Sequence, residues 1–150
     1  MRVLDELDSK IIDALRKDGR ASYRNLAIQV GISNVAVRDR INKLMKEGYI
    51  RGFYALVDSK MVGKNVSVLF EITSNPVDIS RVANELSKCE EVTRIYEKAG
   101  NSQLIIHALF SDLKEMQEFI EGVLYKTDGI SHVQSSLILK RYKYDPSLSV

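Results

Sequence analysis

The sequence contains a single cysteine, Cys89, and this scarcity excludes several classes of protein. One thiol cannot form a disulfide within the chain or a cysteine-rich metal cluster. No run approaches the roughly 18 uncharged apolar residues of a membrane-spanning helix. The N-terminus, MRVLDELDSK, has acidic residues where a secretory signal needs an apolar stretch. We therefore expect a cytoplasmic protein with no membrane partner.

Catalytic motifs are also missing. The chain has two histidines, His107 and His132, and no HExxH, GxSxG, P-loop or GxGxxG motif. The two histidines fall in separate predicted strands, where core and solvent-exposed histidines are common. We expect no enzymatic activity, no resident cofactor and no metal site.

The chain has 150 residues, of which 45% are hydrophobic and 28% charged, which is typical of one or two small globular domains. Its charge is unevenly placed. Residues 1–52 hold 11 Lys/Arg and 7 Asp/Glu, whereas residues 53–150 hold 11 Lys/Arg and 13 Asp/Glu. A basic N-terminal third favours binding of a polyanion. The alternative is chance clustering of cations on solvated helix faces.

The N-terminal third has the pattern of three helices. Apolar residues recur at helical spacing over 4–16, which predicts the first helix. Ser22 is a suitable N-cap for a second helix that Gly31 ends, and Ser33 for a third that Gly48 ends. A tight turn between two short helices, with another helix before them, indicates a helix-turn-helix module.

A helical wheel of the third helix turns Val37, Ile41 and Leu44 towards the core. The opposite face has long basic and amide side chains, which can reach base edges and phosphates in a major groove. Arg40, at the edge of the inward face, is predicted to pair with Asp8 or Asp13. The predicted DNA-contacting residues are Ser22, Tyr23, Arg24, Ser33, Asn34, Val35, Arg38, Asn42 and Lys43. The alternative is that this face is simply solvated.

Several short motifs combine in this region, among them Asp18-Gly19-Arg20, Gly31-Ile32-Ser33, Arg40-Ile41 and Gly48-Tyr49-Ile50. With them, residues 4–58 resemble the N-terminal domain of the Lrp/AsnC, or feast/famine, transcription regulators. The resemblance implies that the chain binds double-stranded DNA.

The rest of the chain has the pattern of a β-α-β-β-α-β domain. Alternation predicts a strand from Val66, and a hairpin is predicted across Gly100-Asn101. The last strand is predicted over 132–142. This order predicts a ferredoxin-like antiparallel sheet with strand order 4-1-3-2, and the family's regulatory domain has the same topology. The predicted class is therefore α+β, with a helix-turn-helix domain at 1–52, an extended linker and turn at 53–64, and an effector-binding and oligomerisation domain at 65–150.

Polar side chains are predicted to gather at the hairpin end of this sheet. Hydroxyls, amides and the free N–H groups of a glycine turn suit a small zwitterion such as an amino acid. The alternative is that strand ends are ordinarily polar. The predicted effector-binding residues are Thr73, Ser74, Tyr96, Gly100, Asn101, Ser102, Gln103, Ser135 and Ser136.

The family resemblance implies an amino-acid effector that binds at this hairpin, between neighbouring dimers. Gln103 stands where the family usually has an aspartate that meets the α-amino group. Because an amide both donates and accepts hydrogen bonds, glutamine or asparagine is the first expectation.

The sheet face away from the helices would expose Leu69, Ile105, Leu109 and Ile138, so a homodimer is expected to cover it. Family members often assemble further, into octamers. The predicted function is an amino-acid-responsive transcription regulator. The alternatives are an enzyme resembling the sirohaem decarboxylases, which share the two-domain plan, and a ligand-binding oligomer that no longer binds DNA.

Overall fold

A computed structural model describes residues 3–100 and 103–147, which form two compact units. The N-terminal unit contains the chain up to Leu56 together with residues 145–147, and the second unit contains residues 57–144. In the part of the chain described, no helix is both long and apolar enough to cross a membrane.

Three helices form the N-terminal unit: α1 (Glu6–Lys17), α2 (Tyr23–Val30) and α3 (Asn34–Lys46). Their apolar faces meet in one core, in which Ile11 and Leu26 are fully buried. Val37, Ile41 and Leu44 of α3 are buried in the same core, as the helical wheel predicts. The predicted three-helix module is therefore confirmed.

Local capping sets the ends of these helices. Asp5 accepts a hydrogen bond from the backbone N–H of Asp8, so α1 begins at Glu6 rather than at residue 4. The hydroxyl oxygens of Ser22 and Ser33 accept from the amides three residues ahead, both at 3.1 Å. Gly31 ends α2 with a φ of +73°, a left-handed conformation that glycine adopts without strain.

The second unit is a four-stranded antiparallel sheet with two helices against one face. The strands lie in the order β2-β3-β1-β4, which confirms the predicted ferredoxin-like arrangement. The main elements are β1 (Val66–Ser74), α4 (Ile79–Leu86), β2 (Val92–Glu97), β3 (Leu104–Phe110), α5 (Leu113–Gly122) and β4 (Ile130–Leu137). Single-turn 3-10 helices lie at Lys60–Val62 and Leu124–Lys126.

The core of this unit lies between the sheet and its helices. Alternate residues of β1 and β3 are buried against Val82 and Leu86 of α4 and against α5. The rings of Phe70, Phe110 and Phe119 pack together with centroids 5.4 to 6.3 Å apart. Such aromatic clusters stabilise a core beyond the area they bury.

The last strand is shorter than the predicted 132–142 and begins earlier. Gly129, with a φ of +87°, makes the turn that starts β4 at Ile130. The ladder ends soon after Leu137, and its last hydrogen bond joins the Ile138 amide to the Ser67 carbonyl at 2.8 Å. Because β1 begins at Val66, no neighbouring strand is available to pair with residues further along.

Residues 145–147 belong to the N-terminal unit, where they contact α1. The Arg16 Nε donates to the Ser147 hydroxyl at 3.0 Å, and Nη2 lies 3.7 Å from Asp145. This exposed ion pair and hydrogen bond hold the described end of the chain against the helix.

Candidate functional site

The outer face of α3 is polar and open to solvent. Arg38, Asn42 and Lys43 are exposed, and the Val35 side chain is 56% exposed. The other predicted DNA-contacting residues are exposed as well: Ser22, Tyr23, Arg24, Ser33 and Asn34. Ser22 and Ser33 use their hydroxyl oxygens as helix caps, and each hydroxyl proton can still be donated to a phosphate.

A shallow groove connects the start of α2 to the start of α3. Arg24 and Asn34, from the two predicted groups of DNA-contacting residues, both line it, and Gly31 lies between them in the chain. Ile28, which is 74% exposed, lines the same groove and was not among the predicted residues. An apolar side chain of this kind has the chemistry to contact a thymine methyl group.

Asp39 brings a negative charge to this face and is paired with its neighbour. The Nε and Nη2 groups of Arg38 both donate to one carboxylate oxygen of Asp39, at 3.1 Å. This contact orients the guanidinium and leaves Nη1 and the second carboxylate oxygen available. An arginine held in this way can address a guanine edge.

Arg40 turns away from this surface and joins α3 to α1. Its Nη1 donates to Asp5 at 2.6 Å and to Asp8 at 2.7 Å. These two hydrogen bonds raise the pKa of the guanidinium. The predicted partner Asp8 is confirmed, Asp5 was missed, and Asp13 is wrong because it lies 3.9 Å from Arg16 instead.

At the hairpin end of the sheet, Gln103 joins β3 to the end of β1. Its side-chain oxygen Oε1 accepts from the Ser74 amide at 2.8 Å. Ser74 itself is only 3% exposed, and its hydroxyl donates to the Asn75 carbonyl at 3.3 Å. The Ser74 hydroxyl is therefore buried and engaged, whereas Thr73 and Tyr96 lie on the face of the sheet that the helices leave open.

The predicted position of Ser135 and Ser136 is wrong. They pair with Phe70 and Leu69 in the middle of β1, so Ser135 lies about 10 Å from Thr73 along the strand. Because side chains alternate in a strand, the two serines also point to opposite faces. His132 occupies the position opposite Thr73, because β4 begins two residues before the predicted start.

The hairpin turn is described up to Gly100, and the predicted effector residues Asn101 and Ser102 lie outside the described residues. Gly100 has a φ of +129°, a conformation that other residues rarely adopt. Among the described residues other than its chain neighbours, no heavy atom lies within 4 Å of the position a β-carbon would take. A larger residue at 100 would therefore strain the backbone.

A charged pair that sequence reasoning missed lies near this hairpin. Lys98 Nζ is 2.8 Å from the Glu71 carboxylate, and both side chains are about one third exposed. Lys98 lies beside Gln103 in the ladder, and Glu71 pairs with Ile105. The end of the sheet thus offers an ammonium and a carboxylate side by side, the complement of an amino-acid zwitterion.

His107 occupies the centre of the open face. Its Nε2 is 2.9 Å from the Ser67 hydroxyl and its Nδ1 contacts the Thr93 hydroxyl at 2.5 Å. Burial lowers the pKa of the imidazole, and the charges of Arg94 and Arg141 lower it further. Both ring nitrogens are therefore engaged and the neutral form is favoured.

Titratable groups elsewhere give no sign of a metal centre. Among the side chains of residues 3–100 and 103–147, no group of three or more His, Cys, Asp or Glu could hold a metal ion. Burial raises the pKa of the Cys89 thiol, with Glu91 and Glu85 adding to the effect, so this thiol is a poor nucleophile.

Protein-family models match residues in both units of the chain. A model described as the Lrp/AsnC ligand binding domain matches residues 67–148, and one described as winged helix-turn-helix DNA-binding matches residues 4–51. The chain belongs to the Lrp/AsnC family. It is a DNA-binding transcription regulator of the Lrp/AsnC type with a C-terminal ligand-binding domain.

Similar proteins span nearly the whole length of this Lrp/AsnC chain. The HTH-type transcriptional regulator PH0140 of Pyrococcus horikoshii is 32% identical, over 94% of this chain and 90% of its own. The HTH-type transcriptional regulator FL11 of Pyrococcus abyssi is 30% identical, over 100% of this chain and 99% of its own. A transcriptional regulator of Neisseria meningitidis, solved in complex with L-methionine, is 26% identical with a TM-score of 0.89. The match covers 98% of this chain and 97% of that one.

Proposed function

We propose that this regulator binds a pseudo-palindromic DNA site by placing α3 of each of two subunits in the major groove. The observation that carries the proposal is the division of α3 into a buried apolar face and an exposed face with Arg38, Asn42 and Lys43. Two helices related by a two-fold axis require half-sites about 34 Å apart, or a multiple of that distance.

The dimer is proposed to form through the open face of the sheet. Leu69, Ile105 and Leu109 are only partly buried there, and Ile138 is 39% exposed. A second copy covering the face would remove these apolar side chains from water. It would also enclose His107, whose neutral form suits a dry interface.

The DNA proposal is tested by titrating genomic fragments and a selected site with the folded protein at several salt concentrations. Retardation at about 50 mM salt, with a negative log–log dependence of affinity on salt, is expected because each neutralised phosphate releases counterions. If no DNA is retarded at low salt, the chain is a ligand-binding oligomer instead.

We further propose that the effector is a free amino acid bound at the hairpin end of the sheet. In this proposal Lys98 binds the α-carboxylate and Glu71 the α-ammonium group, and it is supported by their proximity to each other and to Thr73 and Tyr96 on the open face. Glu71 thereby supplies the carboxylate that is missing at Gln103. The L-methionine complex of the meningococcal regulator supports an amino acid as the class of ligand.

Gln103 bears on which amino acid is bound. Its Oε1 accepts from the Ser74 amide, so the group left to meet a ligand is the Nε2 donor. A donor prefers an acceptor, and the side-chain carbonyl of glutamine or asparagine provides one. These two amino acids therefore remain the first candidates in a screen of all twenty.

The effector proposal is tested by thermal shift with each amino acid, followed by calorimetry on the ligand that stabilises the protein most. Glu71→Gln should weaken binding by about tenfold or more because it removes the partner of the α-ammonium group. Glu118→Gln, on the exposed side of α5, is the matched control. If Glu71→Gln and Glu118→Gln bind the amino acid with equal affinity, Glu71 is not part of the effector site.

A further inference from the structure

A carboxylate stands on the surface of α3 that is proposed to face DNA, and none of the functions above uses it. Asp39 lies four residues after Val35 and three before Asn42, so residues predicted to contact DNA border it on the helix surface. Its side chain is 61% exposed. A negative charge at this place repels phosphates, so a DNA-binding surface that keeps it must use it in another way.

The stability of the helix gives little reason for this carboxylate. Asp39 pairs with the residue before it, Arg38, whose side chain is 53% exposed. Ion pairs between side chains this exposed contribute little to the free energy of folding. Asp39 also lies beyond the first turn of α3, where a negative charge would interact favourably with the helix dipole. The pair is therefore explained by what it presents to a ligand.

Together the two side chains present hydrogen-bond donors beside an acceptor. Arg38 Nε and Nη2 both donate to Oδ1 of Asp39, each at 3.1 Å. A guanidinium has five N–H groups, so two on Nη1 and one on Nη2 remain for a ligand. Because both bonds end on Oδ1, the Oδ2 atom of Asp39 keeps its capacity to accept. The result is a fork of donors with a carboxylate oxygen next to it.

This arrangement is complementary to the major-groove edge of a G·C base pair. Guanine presents two acceptors there, N7 and O6, and cytosine presents the N4–H donor. Thymine presents its O4 acceptor in place of that donor, and a carboxylate close to it would be repelled. A fork of donors alone would bind guanine, whereas the added carboxylate also requires a donor nearby.

We propose that Arg38 and Asp39 read a G·C base pair together, Arg38 through N7 and O6 of guanine and Asp39 through the N4–H of a cytosine on the opposite strand. The inference rests on the proposed placement of α3 in the major groove and names a base pair that this helix selects. Asp39 is then a specificity-determining residue. Its charge lowers the affinity for every sequence, and least for a site whose cytosine compensates it.

The test uses modified bases in a DNA site that the parent protein selects from random duplexes. N4-methylcytosine carries a methyl group in place of the groove-facing N4 hydrogen and keeps the hydrogen that pairs with guanine. Placed at each cytosine in turn, it should weaken parent binding by about fivefold or more at one position. The same change should not weaken binding of Asp39→Ala, which lacks the acceptor. Asp13→Ala, which removes an exposed carboxylate paired with an arginine of α1, is the matched control and should respond as the parent does.

Three results would overturn the inference and leave the proposed function intact. The first is a selected site without a fixed G·C pair. The second is parent binding that N4-methylcytosine weakens at no position. The third is an equal loss in the parent and in Asp39→Ala, because another residue would then sense the methyl group. A parent protein that binds no DNA at low salt would refute the proposed function and this inference together.

Discussion

Replacing Arg40 by alanine would remove one ion pair from the buried Asp8 carboxylate. The Asp8 side chain is fully buried, whereas that of Arg40 is 29% exposed and donates to Asp8 at 2.7 Å. Breaking a fully buried ion pair costs about 3–5 kcal/mol. Because water reaches Arg40 and can partly solvate the site in the variant, we expect a smaller loss, about 2–3 kcal/mol. The second bond, to the half-exposed Asp5, adds little.

Amide hydrogen exchange measures this loss in the N-terminal unit alone. If the core amides of α1 exchange through global opening of the unit, their exchange should become about 30- to 150-fold faster in Arg40→Ala. Arg38→Ala is the control, because Arg38 lies two residues away on the same helix, is 53% exposed and, among the described residues, forms its ion pair with Asp39 alone. It should change stability by no more than about 0.5 kcal/mol. Equal or greater destabilisation by Arg38→Ala would refute the assignment of the two arginines.

Three further predictions concern recognition, acid stability and the core. Arg38→Ala should lose about 1–3 kcal/mol of discrimination at one base position in a panel of single-base site variants. Asp39→Asn, which removes a negative charge and frees Arg38, should tighten binding to random DNA, and an unchanged affinity would contradict this reading of the pair. The Ser111 hydroxyl and amide, with Lys64, lower the pKa of Glu115 from 4.5 to about 2, so its stabilising contribution is complete above pH 4.5 and is lost as pH falls through 2. The melting temperature of Glu115→Gln should accordingly be lower than that of the parent at neutral pH. Between pH 4.5 and pH 2 it should fall less steeply with decreasing pH than that of the parent. Phe119→Ala should cost about 3–5 kcal/mol in urea unfolding, whereas Tyr125→Ala, at a side chain 69% exposed, should be nearly neutral.

Local signals in the sequence predicted the helices of the N-terminal unit well. A serine cap, a left-handed glycine and an apolar stripe act within a few residues, so Ser22, Gly31 and Ser33 could be assigned without knowing the tertiary structure. The partner of Arg40 was only partly predictable. Whether Arg40 reaches Asp5, the N-cap of α1, and Asp8, in its first turn, depends on how α1 and α3 cross. No local sequence pattern specifies that crossing.

Prediction was weakest where strands pair. The predicted fourth strand placed Ser135 and Ser136 at the end of the sheet, whereas the observed register pairs them with Phe70 and Leu69 in the middle of β1. Likewise, the engagement of Gln103 by the Ser74 amide and the pairing of Lys98 with Glu71 join neighbouring strands. Alternation within one strand gives the face on which a residue lies, but not the residue opposite it. The roles of the predicted DNA and effector residues stay predictions until the experiments above are done.

The return of the chain to its first unit has a consequence for synthesis. The second unit is one continuous stretch, residues 57–144, inserted between two parts of the N-terminal unit. On a ribosome that adds about 5–20 residues per second, Asp145 is made roughly 6 to 26 seconds after Arg16. The three helices can fold early, but Arg16 must wait for Asp145 and Ser147 until the whole sheet has been translated. The last contacts of the first-made unit are thus among the last to form in the nascent protein.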